Sequence, residues 1–82
     1  MLYAYTEHLF GIKSLYQCKS QKALDWLIGW KNRRGYNCQQ CTEDVARAIA
    51  AGMGEGCWCF DIRQNKAGEY VRLPYRYWRE ND

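Results

Sequence analysis

The stretch from Ser20 to Gly35 constrains this chain more than any other. Ala23, Leu24, Trp26, Leu27, Ile28 and Trp30 recur there at the three- and four-residue spacings that bring side chains to one side of an α-helix. Ser20 belongs to the residue types whose side-chain oxygen caps a helix N-terminus, and Arg33, Arg34 and Gly35 suit its end. At about 100° per residue the apolar positions sweep an arc of roughly 200°, wider than the stripe a surface helix needs. The spacing therefore predicts a helix over 20–34 that is either covered on two sides or leaves a tryptophan at the surface.

A helix of that kind needs something to cover, and the flanking segments supply it. Leu2 to Phe10 and Ile12 to Lys19 are rich in aromatic and aliphatic residues, are separated by Gly11, and read as a β-hairpin. Tyr36 to Cys41 reads as a connector. Thr42 then caps a second helix with Glu43 and Asp44 in its first turn, where the positive end of the helix dipole favours acidic groups. Val45, Ile49 and Met53 form its apolar line, and Gly52, Gly54 and Gly56 terminate it. Cys57 to Arg63 and Tyr70 to Trp78 read as two more strands, joined through the turn residues Asn65, Lys66, Ala67 and Gly68. Pro74 cannot donate a ladder hydrogen bond, which places the last strand at an edge. The expected fold is α+β in the order ββααββ: a small antiparallel sheet of two hairpins with both helices on one face. Trp58, Phe60, Leu24, Leu27, Ile28, Val45 and Ile49 are its expected core.

A chain of 82 residues makes one domain, and it buries a smaller share of its surface than a larger domain does. Trp, Tyr and Phe make up 16% of it, and such rings are enriched both in economical cores and at interfaces. The formal charge of +3 is too mild to announce a nucleic-acid binder by itself. Met1 to Phe10 has neither the basic start nor the long apolar run of a signal peptide or a spanning helix, so a cytoplasmic location is expected. A reducing compartment, together with an odd cysteine count, argues against structural disulfides.

The five cysteines carry the first candidate chemistry. Cys38 and Cys41 form a C-x2-C pair, and Cys57 and Cys59 a C-x-C pair; together they supply the four thiolates of a tetrahedral structural zinc site. The residues that shape a zinc knuckle are missing around Cys38 and Cys41. Reduced cysteines packed as small hydrophobes are therefore the first expectation, with no cofactor, and zinc on Cys38, Cys41, Cys57 and Cys59 is the alternative. A thioredoxin-like role for Cys38 and Cys41 lacks the βαβ context. His8, the single histidine, meets a thiol only if the first hairpin brings it to Cys18, and a nucleophile would still need a third group to orient the pair. The glycine run at 52–56 lacks the Lys and Ser/Thr of a phosphate-binding loop.

The second candidate is a surface. In the final strand Val71, Leu73, Tyr75 and Tyr77 alternate with Tyr70, Arg72, Pro74, Arg76 and Trp78, which leaves one side apolar and the other basic and aromatic. Tyr70, Arg72, Arg76 and Trp78 are the expected partner-binding residues. Guanidinium groups and large rings dominate hot spots at protein interfaces and also stack on bases. With no convergent acid, base and nucleophile, the sequence points to a non-catalytic protein-interaction module. In size, in lacking targeting signals and in its compact ββααββ order it resembles the small accessory proteins of bacteriophages and mobile elements that bind and modulate or inhibit a host complex, a likeness that fixes no residue. A protein partner is expected first and a small nucleic-acid-binding role, zinc-stabilised or not, is the alternative; neither a membrane nor a small-molecule substrate is indicated.

Overall fold

A computed structural model describes residues 1–53 and 58–75 of the chain. The elements are β1 (Leu2–Glu7), β2 (Lys13–Cys18), α1 (Gln21–Arg33), β3 (Cys38–Cys41), α2 (Glu43–Met53), β4 (Trp58–Gln64) and β5 (Tyr70–Tyr75). They form one five-stranded sheet in the order β3-β1-β2-β4-β5. β1 pairs antiparallel with β2 and β3, and β4 antiparallel with β5, whereas β2 and β4 run parallel. The fold is α+β as expected, but the ββααββ order and the purely antiparallel two-hairpin layout are not what forms.

The difference begins at the Cys38–Cys41 segment, which is a strand rather than a connector. The outer edge of β1 carries backbone donors and acceptors that need partners, and β3 supplies them in register from Tyr3↔Cys41 to Thr6↔Cys38. By occupying that edge, β3 also carries the chain from one face of the sheet to the other. Ala23, Leu24 and Leu27 of α1 pack with Ala4, Tyr16, Cys18 and Ile62, while Ala46, Ile49 and Ala50 of α2 pack with Tyr3, Leu15 and Cys59. These two sets alternate along the strands, so the helices cover opposite faces and the sheet is the middle of three layers. The consecutive burial of Ser14, Leu15 and Tyr16 on the central strand β2 follows directly.

Leu24 and Leu27 are buried as expected, and Ile28, Ile49 and Phe60 are packed against the core as partly buried residues. Val45 and Trp58 are exposed instead. On α2 the inward position belongs to Ala46, whose small side chain lets the helix approach Tyr3 and Leu15 closely. Trp58 opens β4 opposite Ser14, at an end of the sheet where no helix covers it, and remains 64% exposed.

Both helices start where their caps predict. The Ser20 hydroxyl accepts a hydrogen bond from Ala23 N–H at 3.1 Å, and that of Thr42 accepts one from Val45 N–H at 3.2 Å. Ser20→Ala is expected to cost about 1 kcal/mol, measured as a lower urea midpoint with an unchanged slope. In the β4–β5 turn Asn65 Oδ1 accepts from the N–H groups of Ala67 (3.0 Å) and Glu69 (2.9 Å), and Gly68 supplies the positive φ of 82° that a side chain would resist. β5 is an edge strand, as Pro74 requires.

Candidate interaction surface

The turn between β1 and β2 is built from Leu9, Phe10 and Gly11, where a hairpin ordinarily places polar turn residues. The N–H of His8 donates to the carbonyl of Ile12 at 2.6 Å and closes the turn. To pass through it, Phe10 adopts a left-handed backbone with φ 63° and ψ 24°. For an L-residue other than Gly, Asn or Asp that conformation costs about 1–2 kcal/mol. The result is a protruding apolar knob: Phe10 is 98% exposed and Leu9 80% exposed, with Ile12 also at the surface. Tyr36, from the turn after α1, sets the edge of its ring against His8 with centroids 5.6 Å apart. An open depression of about 840 Å³ lies between the hairpin tip and residues 35–37. Because β4 runs parallel to β2, Trp58 emerges at this same end of the sheet.

A polar cluster anchors the knob from beneath. His8 Nε2 lies 2.9 Å from Ser14 Oγ and 3.2 Å from Thr6 Oγ1, and Thr6 Oγ1 lies 3.4 Å from the Tyr16 hydroxyl. Thr6, Ser14 and Tyr16 are buried, so these bonds are shielded from competing water. Above them the Lys31 ammonium sits 5.4, 5.0 and 4.8 Å from the ring centres of Tyr16, Trp30 and Tyr36. Such cation–π contacts hold a side chain that is 4% exposed without any carboxylate partner among the described residues. The His8 ring is held by the hydroxyl groups of Ser14 and Thr6, and no carboxylate among the described residues bonds it. Nor does His8 meet Cys18, because the register Leu2↔Cys18 to Glu7↔Lys13 puts them at opposite ends of the hairpin.

The four described cysteines do not converge. Cys18 and Cys38 are buried in the α1 layer, whereas Cys41 and Cys59 belong to the α2 layer, so the sheet itself separates the two members of the C-x2-C pair. Cys57 lies outside the described residues. Burial pushes the Cys18 thiol up to about 12, helped by the nearby Asp61 and Cys38. Cys38 is pushed up to about 11 by burial, against the opposing pull of Lys31, and Cys41 is raised by burial as well. These thiols stay protonated at neutral pH and fill space as small hydrophobes. Among the described residues no group of three or more His, Cys, Asp or Glu side chains is placed to hold a metal ion.

Of the expected partner-binding residues, Arg76 and Trp78 lie outside the described residues. Tyr70 and Arg72 stand opposite Gln64 and Ile62, which turns them to the α1 side of the sheet. Tyr70 rests on Trp26, ring centres 5.0 Å apart, and the Arg72 guanidinium lies 4.8 Å from the centre of the Phe60 ring. On the other side of β5, Val71 is partly buried and Leu73 is exposed. The hairpin knob was absent from the expected site, although the apolar pair Leu9-Phe10 directly before Gly11 is its legible signal.

Among the described residues no helix is long and apolar enough to cross a membrane. Comparison of the chain with protein-family models, with curated proteins and with solved structures finds no match.

Proposed function

We propose that this chain is a non-catalytic protein-interaction domain that docks through the hairpin knob, with Phe10 as its anchor. One observation carries the reading: Phe10 is both the most exposed large hydrophobic side chain described and a non-glycine residue held in left-handed backbone. A strained backbone displaying a ring to water is costly twice over, and such costs gather where a partner makes use of them. The anchored base of His8, Thr6, Ser14 and Tyr16 keeps the knob rigid, so little ordering entropy is lost when it enters a pocket. The partner's side of such a contact is a concave apolar site, rimmed by Leu9, Ile12 and Tyr36 on this chain.

Phe10→Gly separates binding from folding. Glycine adopts φ 63° freely and the ring it replaces is almost wholly in solvent, so the variant is expected to be no less stable than the parent. Affinity for a protein captured from the native host should fall by at least about 2 kcal/mol, as truncated hot spots do. Undiminished affinity in Phe10→Gly would overturn the reading. Capture of nucleic acid, weakening steeply with salt, would replace it with the nucleic-acid alternative.

A further inference from the structure

A second site lies away from the knob, in the cleft between the outer side of α1 and the β4–β5 hairpin. Trp26 and Trp30, one helical turn apart, stack nearly parallel with ring centres 5.9 Å apart and an interplanar angle of 10°. This resolves the excess width of the apolar arc on the helix: both tryptophans stand over a cleft rather than inside the core. Leu27 and Ile62 form its apolar floor, and Tyr70 and Arg72 of β5 line the opposite wall. The cleft holds about 350 Å³, at the lower end of the range for small-molecule pockets.

Two guanidinium groups stand beside it. Arg72 lies over Phe60 beside the cleft, and the Arg34 guanidinium lies 4.6 Å from the centre of the Trp30 ring. Neither meets a carboxylate among the described residues. The acids nearest in sequence to the lining residues have partners of their own: Asp25 accepts a hydrogen bond from Gln21 at 2.9 Å, Glu69 one from Asn65 at 3.3 Å, and Asp61 is paired with Arg63. An apolar floor, flat aromatic walls and unpaired guanidinium groups together select a flat ring bearing negative charge. We propose that this cleft is a binding site for a small planar aromatic anion, its ring against Trp26, Trp30 and Tyr70 and its carboxylate or equivalent group on Arg72.

The test uses the full chain and three probes: naphthoate, the uncharged naphthamide with the same ring, and cyclohexanecarboxylate with the charge but no flat ring. Titration is followed by the indole N–H signals of Trp26 and Trp30 in NMR spectra. Naphthoate should shift both signals and bind at least about tenfold more tightly than either of the others, the margin of one charge-assisted hydrogen bond. Arg72→Gln, a change at an exposed position, should bring naphthoate down to the level of naphthamide while leaving naphthamide unchanged. Tyr70→Leu should weaken both. Equal binding of naphthoate and naphthamide to the parent chain would overturn the proposal, as would an Arg72→Gln variant that still prefers the anion. Failure of all three probes, alongside binding of a single-stranded oligonucleotide with steep salt dependence, would overturn it in favour of a nucleic-acid platform. None of these outcomes depends on Phe10, so the knob and the cleft stand or fall separately.

Discussion

Leu27→Ala is expected to leave little folded protein. Leu27 is 1% exposed and belongs to the cluster that joins α1 to Ala4, Tyr16, Cys18 and Ile62. Truncating such a residue costs about 2–5 kcal/mol, because the transfer free energy is lost and a cavity is left behind. A domain of this length has a stability of about 5 kcal/mol, so most or all of its margin disappears. Val45→Ala is the control, since Val45 faces solvent on α2 and should change stability by no more than about 0.5 kcal/mol. Urea unfolding of the two variants side by side checks both faces of the sheet at once. Equal losses would mean that α2 presents a different side to Tyr3 and Leu15.

Stability should also fall steeply in alkaline solution. Cys18 and Cys38 have folded-state values of about 12 and about 11, against an ordinary thiol value of 9.0. Below pH 9 the folded and unfolded chains both hold these protons, and the thiols give no pH dependence. Above it the unfolded chain releases them first, so the balance shifts toward unfolding until the pH passes the folded-state value. Between about pH 9 and 12 the loss through Cys18 alone reaches about 4 kcal/mol. Cys18→Val, a replacement of similar size without an ionisable group, should flatten that part of the profile. If the parent and Cys18→Val lost stability in parallel, the Cys18 thiol would not be shielded as its position implies.

What the sequence made legible was local chemistry. Ser20 and Thr42 announced the helix starts because a cap is a contact between residues three apart, and Asn65 with Gly68 announced the β4–β5 turn for the same reason. β3 escaped because Cys38-Gln39-Gln40-Cys41 has no alternation of its own; it is a strand because the free edge of β1 lies beside it. Without β3, nothing in either helix tells which face it covers, and the simplest arrangement puts both on one. Trp58 shows the limit of a period of two. Alternation puts it on the same side as Phe60 and Ile62, but alternation reports a side of the sheet and not how far along the strand the covering helix reaches. The hairpin knob was legible only in the apolar pair Leu9-Phe10 before Gly11, and the cleft beside Tyr70 and Arg72 is completed by Trp26 and Trp30 from a distant element, which no local pattern reports.

The parallel pairing of β2 with β4 bears on how the chain reaches this state. Ser14 to Cys18 meet Trp58 to Ile62 across more than half the length of the chain, while each hairpin closes through a short turn. Loop-closure entropy makes the hairpins early events and the joining of the two halves a late one. Until β4 arrives, β2 has an open edge flanked by Leu15 and Tyr16, side chains that the finished domain keeps from water. A ribosome-bound chain that has not yet emitted β4 therefore presents an unpaired, apolar strand edge, the kind of surface on which chains associate wrongly. The tight N-terminal hairpin and the early α1 cover one face of that edge during the wait, and the closing of the central pair ends the exposure.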